Sequence, residues 1–259
     1  MISIEHAKES FHKFVQQFDV NDPKISLKIR HTYCVMDACE YLAKEMNLNK
    51  TDYDLALLIG LLHDIGRFEQ LTRFNSYDDR LICHAQCGVE FLFDQGHIRD
   101  FIETDKYDNI IYHAIKNHSA YAIAPGLSEQ ELLHAQIIRD ADKLDNYRVK
   151  RDDTIEALLD ISAEELGTHE ISDHILETFA SHKTILKSDR ITPMDMWVSF
   201  LALLFDLNFA PSFKYILEND YINAITDRIT YVNPDTAKKM EEIRKIAIDF
   251  CKEKQEGKL

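Results

Sequence analysis

Glycine and proline are scarce in this chain, 7 and 5 among 259 residues. Folds made of many short strands draw on both at their turns, so the shortage argues against a sandwich or barrel. Leu, Ala, Glu, Lys and Asp are frequent instead, which favours long helices. The expected class is all-α. Basic residues are also in deficit, 30 Lys and Arg against 45 Asp and Glu, for a formal charge of −15. A surface that neutralises successive phosphates would show the opposite balance, so nonspecific nucleic-acid binding is not expected. One local basic cluster for a small phosphorylated ligand is compatible with these totals.

Long apolar runs are missing too. The longest, from Met196 to Phe205, is interrupted by Ser199 and closes at Asp206, short of the roughly 20 residues that cross a bilayer. It reads as a buried helix, and no membrane partner is expected. The start Met1-Ile2-Ser3-Ile4-Glu5-His6 has neither the basic stretch nor the apolar stretch of a secretory signal, so a cytoplasmic location is expected. The cysteines number five, and an odd count without an export signal makes a disulfide framework a poor reading. Cys83 and Cys87 flank His84, but no second cysteine pair completes a zinc site, and they read as buried helical thiols.

The chain is 45% apolar, enough to bury a substantial core. Phe11, Phe14, Val15 and Phe18 repeat at helical spacing before Asn21-Asp22-Pro23, predicting a helix over 3–19. A second is predicted over 23–46, with His31 inside it. Thr51-Asp52-Tyr53-Asp54 resembles a capping box opening a third, which Gly66 would terminate just past His63-Asp64. Helices over 79–94 and 105–118 carry His84 and His118. Ser128-Glu129-Gln130-Glu131 is another capping box, and its helix bears Asp142. Further helices are expected near 172–187, 193–209, 211–230 and 235–255, where Trp197, Phe200, Leu203 and Leu204 form a core stripe. The expected organisation is a core over residues 1–150 and a helical extension over 151–259, which would cap a pocket, form a homo-oligomer interface or continue the same domain.

His63-Asp64 places an imidazole beside a carboxylate at the end of an apolar stretch, Gly60-Leu61-Leu62. Burying such a pair is costly without a compensating partner, and a metal ion is one. His31 lies upstream and Ile138-Arg139-Asp140-Ala141-Asp142-Lys143-Leu144 downstream. With this order of His, His-Asp and distant Asp, residues 25–150 resemble the HD-domain superfamily of metal-dependent phosphohydrolases. The resemblance implies a helical bundle holding one or two divalent metals through His31, His63, Asp64 and Asp142. Asp142 is preferred to Asp140 because Ala141-Asp142-Lys143-Leu144 looks like the family's motif, and the two acids point about 200° apart on a helix.

His84 with Gly88, and His118, resemble further ligands of the family's two-metal branch, while His113 points elsewhere. Imidazoles with carboxylates suit iron, manganese, nickel or zinc better than magnesium. The chemistry implied is attack of a metal-activated hydroxide on a small phosphorylated compound or nucleotide, with Asp64 bridging two metals and Arg67 and Lys143 as cationic groups for developing oxygen charge. Arg67 stands where the family's nucleotidases and alarmone hydrolases carry an acid. Ser119-Ala120-Tyr121-Ala122 stands where the cyclic-dinucleotide branch carries Gly-Tyr-Pro. Both departures point away from those substrates. An oxygen-activating di-iron enzyme of the same fold is the alternative, and a silent ligand-binding signalling module is the second.

Overall fold

Asp22 begins the longest helix of the first unit: its carboxylate accepts from Lys24 N at 2.7 Å and Ile25 N at 3.2 Å, and Pro23 fits the first turn, where a missing N–H costs nothing. The computed structural model describes residues 2–76, 79 and 82–257, all helical or irregular, with no strand among the described residues. The chain divides into two compact units, Met1–Asp142 and Lys143–Leu259.

The first unit comprises α1 (Ile4–Val15), α2 (Pro23–Glu45), α3 (Lys50–Leu62), α4 (Ile65–Phe74), α5 (His84–Val89), α6 (Asp108–Asn117) and the beginning of α7 (Glu129–Asp152). A π-helical turn, Glu90–Asp94, continues α5, and a 3-10 turn spans His97–Asp100. The long pair α2 and α3 packs side by side, α4 lies on α5, and α5 lies on α6. Leu42, Leu55, Leu58, Ile59 and Leu62 are fully buried along this pair. Phe11 meets Phe68 edge-on with ring centroids 6.0 Å apart, fastening α1 to α4.

Several local expectations shift. The first helix stops at Val15 rather than residue 19. Asn49, not Thr51, caps α3: its side chain accepts from Thr51 N and Asp52 N at 3.0 and 3.1 Å. The Ser128 box forms as expected, with Ser128 Oγ accepting from Glu131 N and Glu131 Oε2 accepting from Ser128 N. The helix expected from 79 begins at His84, and residues 77, 78, 80 and 81 lie outside the described residues. Gly66 does not terminate α3; it lies inside α4. A Cβ there would stand 2.2 Å from His84 O and 2.4 Å from Gly88 N, so glycine is required for α4 to cross α5 at backbone contact. Cys87 is buried, but Cys83 is exposed just before α5.

The second unit takes the rest of α7 and adds α8 (Ile155–Leu159), α9 (Ala163–Thr168), α10 (Asp173–Ala180), α11 (Pro193–Leu201), α12 (Ala210–Glu218), α13 (Tyr221–Thr226) and α14 (Pro234–Gln255). The helices expected over 172–187 and 193–209 are shorter, the latter giving way to a 3-10 turn at Ala202–Asp206. The helix expected over 211–230 is broken at Asn219-Asp220, where Asp220 adopts φ 52°. Short polar residues tolerate that left-handed conformation without glycine. Trp197, Tyr147, Tyr221 and Phe179 form this unit's largest buried side chains, and Tyr147 donates its hydroxyl to Leu201 O at 2.6 Å. No helix among the described residues is long and apolar enough to cross a membrane.

Candidate metal centre

Two helices of the first unit end at the same place. Leu62 closes α3 with His63 as its C-cap, and Asn117 closes α6 with His118 as its C-cap. Helix C-termini carry partial negative charge and favour a cation. Each ring also uses its own helix end, since His63 Nδ1 donates to Gly60 O at 2.8 Å and His118 Nδ1 donates to Ile115 O at 2.7 Å. A carbonyl can only accept, which places a proton on Nδ1 of each ring and turns Nε2 toward the centre.

Asp64 sits at the junction of α3 and α4 with φ −106° and ψ 16°, a sparsely populated region frequent at functional sites. Its carboxylate makes no capping bond to α4. Oδ2 lies 3.6 Å from His31 Nε2 and 3.8 Å from His63 Nε2, while Oδ1 lies 3.3 Å from His84 Nε2 and 3.6 Å from His118 Nε2. His31, from the middle of α2, places Nε2 3.4 Å from that of His63 and 3.2 Å from Asp142 Oδ1. His84, at the start of α5, brings Nε2 to 2.9 Å from that of His118.

Two groups of potential metal ligands result, His31, His63 and Asp142 in one, Asp64, His84 and His118 in the other. All four histidines and Asp64 are buried. Burial pushes His63 down to about 3, against the pull of Asp64's charge, and pushes His84 down to about 4. Both rings are therefore neutral near pH 7. Burial would raise Asp64, but the Lys28 ammonium beside it holds its carboxyl well below the usual range. Asp142 is lowered likewise, with the hydrogen bond and charge of His31 outweighing burial.

This donor set suits a cation. Burial keeps His84 neutral and its Nδ1 already donates to Asp79, so its bare Nε2 lone pair lies 2.9 Å from Nε2 of His118, an arrangement that positive charge between the two atoms stabilises. Ligand atoms about 2.1 Å from a shared ion lie roughly 3.0–3.4 Å from each other, close to the 2.9, 3.2 and 3.4 Å separations found within the two groups.

Other expected residues stand apart. Asp140 is fully buried but belongs to neither group. His113 lies partly exposed, 4.0 Å from Glu131 Oε1. Arg67 directs Nη1 to Asp79 Oδ1 at 2.9 Å and to Gln70 Oε1 at 2.6 Å, with Nε 3.6 Å from Asp64 Oδ1. Lys143 begins the second unit, where its ammonium pairs with Asp206 at 2.8 Å.

Three contributors escaped the sequence reading. Lys28 places Nζ 2.8 Å from Asp64 Oδ2, and its position one turn before His31 on α2 was the available signal. Asp79 accepts from His84 Nδ1 at 2.6 Å. Buried Arg139 donates to Asn117 O at 2.8 Å and Ala120 O at 2.5 Å, tying down the chain on both sides of His118.

Residues 29–147 match the family model for the HD domain. No curated protein and no solved structure matches the chain at a significant level. The matched stretch contains every residue of both ligand groups. Residues 29–147 therefore carry the pattern of the HD domain, in a match that spans the whole candidate metal centre.

Proposed function

We propose that this protein is a metal-dependent phosphohydrolase acting on a small phosphorylated compound or nucleotide. The observation that carries the reading is Asp64, whose two oxygens face different histidine pairs within 3.3–3.8 Å. In this reading His31, His63 and Asp142 would hold one divalent ion and Asp64, His84 and His118 a second. Imidazole-rich sites favour iron, manganese, nickel or zinc over magnesium. Such ions, when bound, supply Lewis acidity toward phosphoryl oxygens and make water a stronger acid.

The chain's own residues do the rest. Buried His63 and His84 stay neutral, and the Nδ1 bonds of His63, His84 and His118 keep these rings aimed at the centre. Asp64 and Asp142 remain ionised. Lys28 brings a positive charge next to Asp64, where it can meet an anionic substrate once the carboxylate is neutralised by other means. Arg67 and Lys143, expected in that role, are engaged with Asp79 and Asp206.

The test is a broad phosphomonoester, phosphodiester and nucleotide panel with zinc-, manganese- and iron-loaded protein. Release of phosphate or nucleotide that His63→Ala and Asp64→Ala abolish is expected. Iron-loaded protein that consumes oxygen and frees no phosphate would overturn hydrolysis in favour of the oxygenase. Absence of any metal after gentle purification, with no binding on reconstitution, would favour a silent module.

A further inference from the structure

Asp79, between α4 and α5, gathers donors from both helices. Arg67 clasps it with Nη1 on Oδ1 at 2.9 Å and Nη2 on Oδ2 at 3.3 Å. Gln70, fully buried in α4, donates Nε2 to Oδ1 at 3.3 Å and to Ile82 O at 2.9 Å, which ties the same helix to the backbone just before α5. Across the gap, His84 gives Oδ1 its Nδ1 proton at 2.6 Å, and its backbone N–H points to the same oxygen at 3.4 Å. Oδ1 of Asp79 is thus the point where the α4 guanidinium, the α4 amide and the α5 imidazole meet.

His84 differs here from His63 and His118. Those two rings lean on carbonyls three residues back in their own helices. His84 opens α5, so no preceding turn of helix offers a carbonyl, and its ring depends on a side chain from outside. We propose that Asp79 is the positioning residue for His84, and that Arg67 acts through Asp79 rather than on the substrate. The carboxylate keeps the proton on Nδ1 and turns Nε2 toward Asp64 Oδ1 and His118. Arg67 supplies a planar, two-pronged clasp that holds Asp79 in place, which the single ammonium of a lysine cannot reproduce. The assignment rests on the two-ion reading for its consequence, but its structural core is the state of one imidazole.

Two measurements on the full-length protein separate the parts. In metal-free protein, ring-nitrogen chemical shifts of His84 are expected to report the Nδ1–H form in the wild type and a loss of that preference in Asp79→Ala, with His63 and His118 unchanged. Calorimetric titration with Zn²⁺, checked by elemental analysis, is expected to resolve two binding steps. Asp79→Ala and Arg67→Ala weaken one of them about 10–100-fold, the usual effect of removing an outer partner from a ligating histidine, while the other step stays put. His84→Ala abolishes the same step, and Arg67→Lys restores it only in part.

An Asp79→Ala protein with wild-type His84 shifts and both wild-type affinities would overturn the assignment. Arg67→Ala with unchanged metal affinities but impaired turnover would place Arg67 on the substrate and overturn its half. Wild-type protein taking up no Zn²⁺ would sink the two-ion reading, and the His84 tautomer would still decide Asp79's role.

Discussion

Lys28 sets its ammonium 2.8 Å from Oδ2 of Asp64, the carboxylate that faces all four histidines of the centre. Without a metal ion, this lysine is a nearer fixed positive charge to that carboxylate than Arg67, whose Nε lies 3.6 Å from Oδ1. Lys28→Met, which keeps the aliphatic stem, is expected to destabilise metal-free protein by about 2 kcal/mol, below the roughly 3–5 kcal/mol for breaking a fully buried pair because Lys28 is partly exposed. Added Zn²⁺ should shrink the deficit. Thermal melts of both proteins with and without the ion read this directly, and a wild-type midpoint for metal-free Lys28→Met would refute it.

Gly66 and Gly88 face each other where α4 crosses α5, but they are not equivalent. A Cβ on Gly66 would collide with the backbone of His84 and Gly88 at 2.2 and 2.4 Å, whereas a Cβ on Gly88 would meet its nearest neighbours at an ordinary 3.5 Å. Gly66→Ala is expected to cost about 3 kcal/mol, at the upper end for overpacking, and to displace His84 from Asp64. Gly88→Ala is expected to stay within about 1 kcal/mol. Equal denaturation midpoints for the two variants would contradict the crossing.

Acid should unfold the metal-free protein. His63 and His84 titrate at about 3 and about 4 in the fold because burial penalises their charged forms. In the unfolded chain they take up protons near the ordinary value of about 6.5. Above that value neither state binds these protons and no stability is lost. As the pH falls from about 6.5 toward 4, the unfolded chain binds more protons, and stability drops by up to about 1.4 kcal/mol per pH unit for each ring. Urea midpoints between pH 7.5 and 5 check the slope, and a flat profile would show that the rings are not held neutral.

The stretch with the candidate ligands was legible because the pattern lies in order and context, and His31, His63, Asp64, His84, His118 and Asp142 all occur in contexts that periodicity alone would not explain. The structure brings those six together. Lys28 could have been found from its place one turn before His31, but the rest of what escaped notice had no fixed spacing to reveal it. Asp79 accepts from His84 Nδ1, and Arg67 sends Nη1 and Nη2 to the same carboxylate at 2.9 and 3.3 Å; neither fact is written in a motif. Helix breaks were hidden for a related reason. Asp220 bends the chain without glycine or proline, so the punctuation that sequence reading relies on was absent. At α3 the sequence pointed to Thr51, whereas Asn49, two residues earlier, accepts from Thr51 N and Asp52 N and holds the cap.

His63 and His118 hang from the last turns of α3 and α6, each ring tied to a carbonyl of its own helix. Terminal turns are where helices open first. The centre is thus assembled partly from helix ends, and opening at either end would release a candidate ligand and a hydrogen-bond anchor in one motion. Occupancy and local order at these two helix ends are a single equilibrium: whatever binds between the rings also decides how long the helices last.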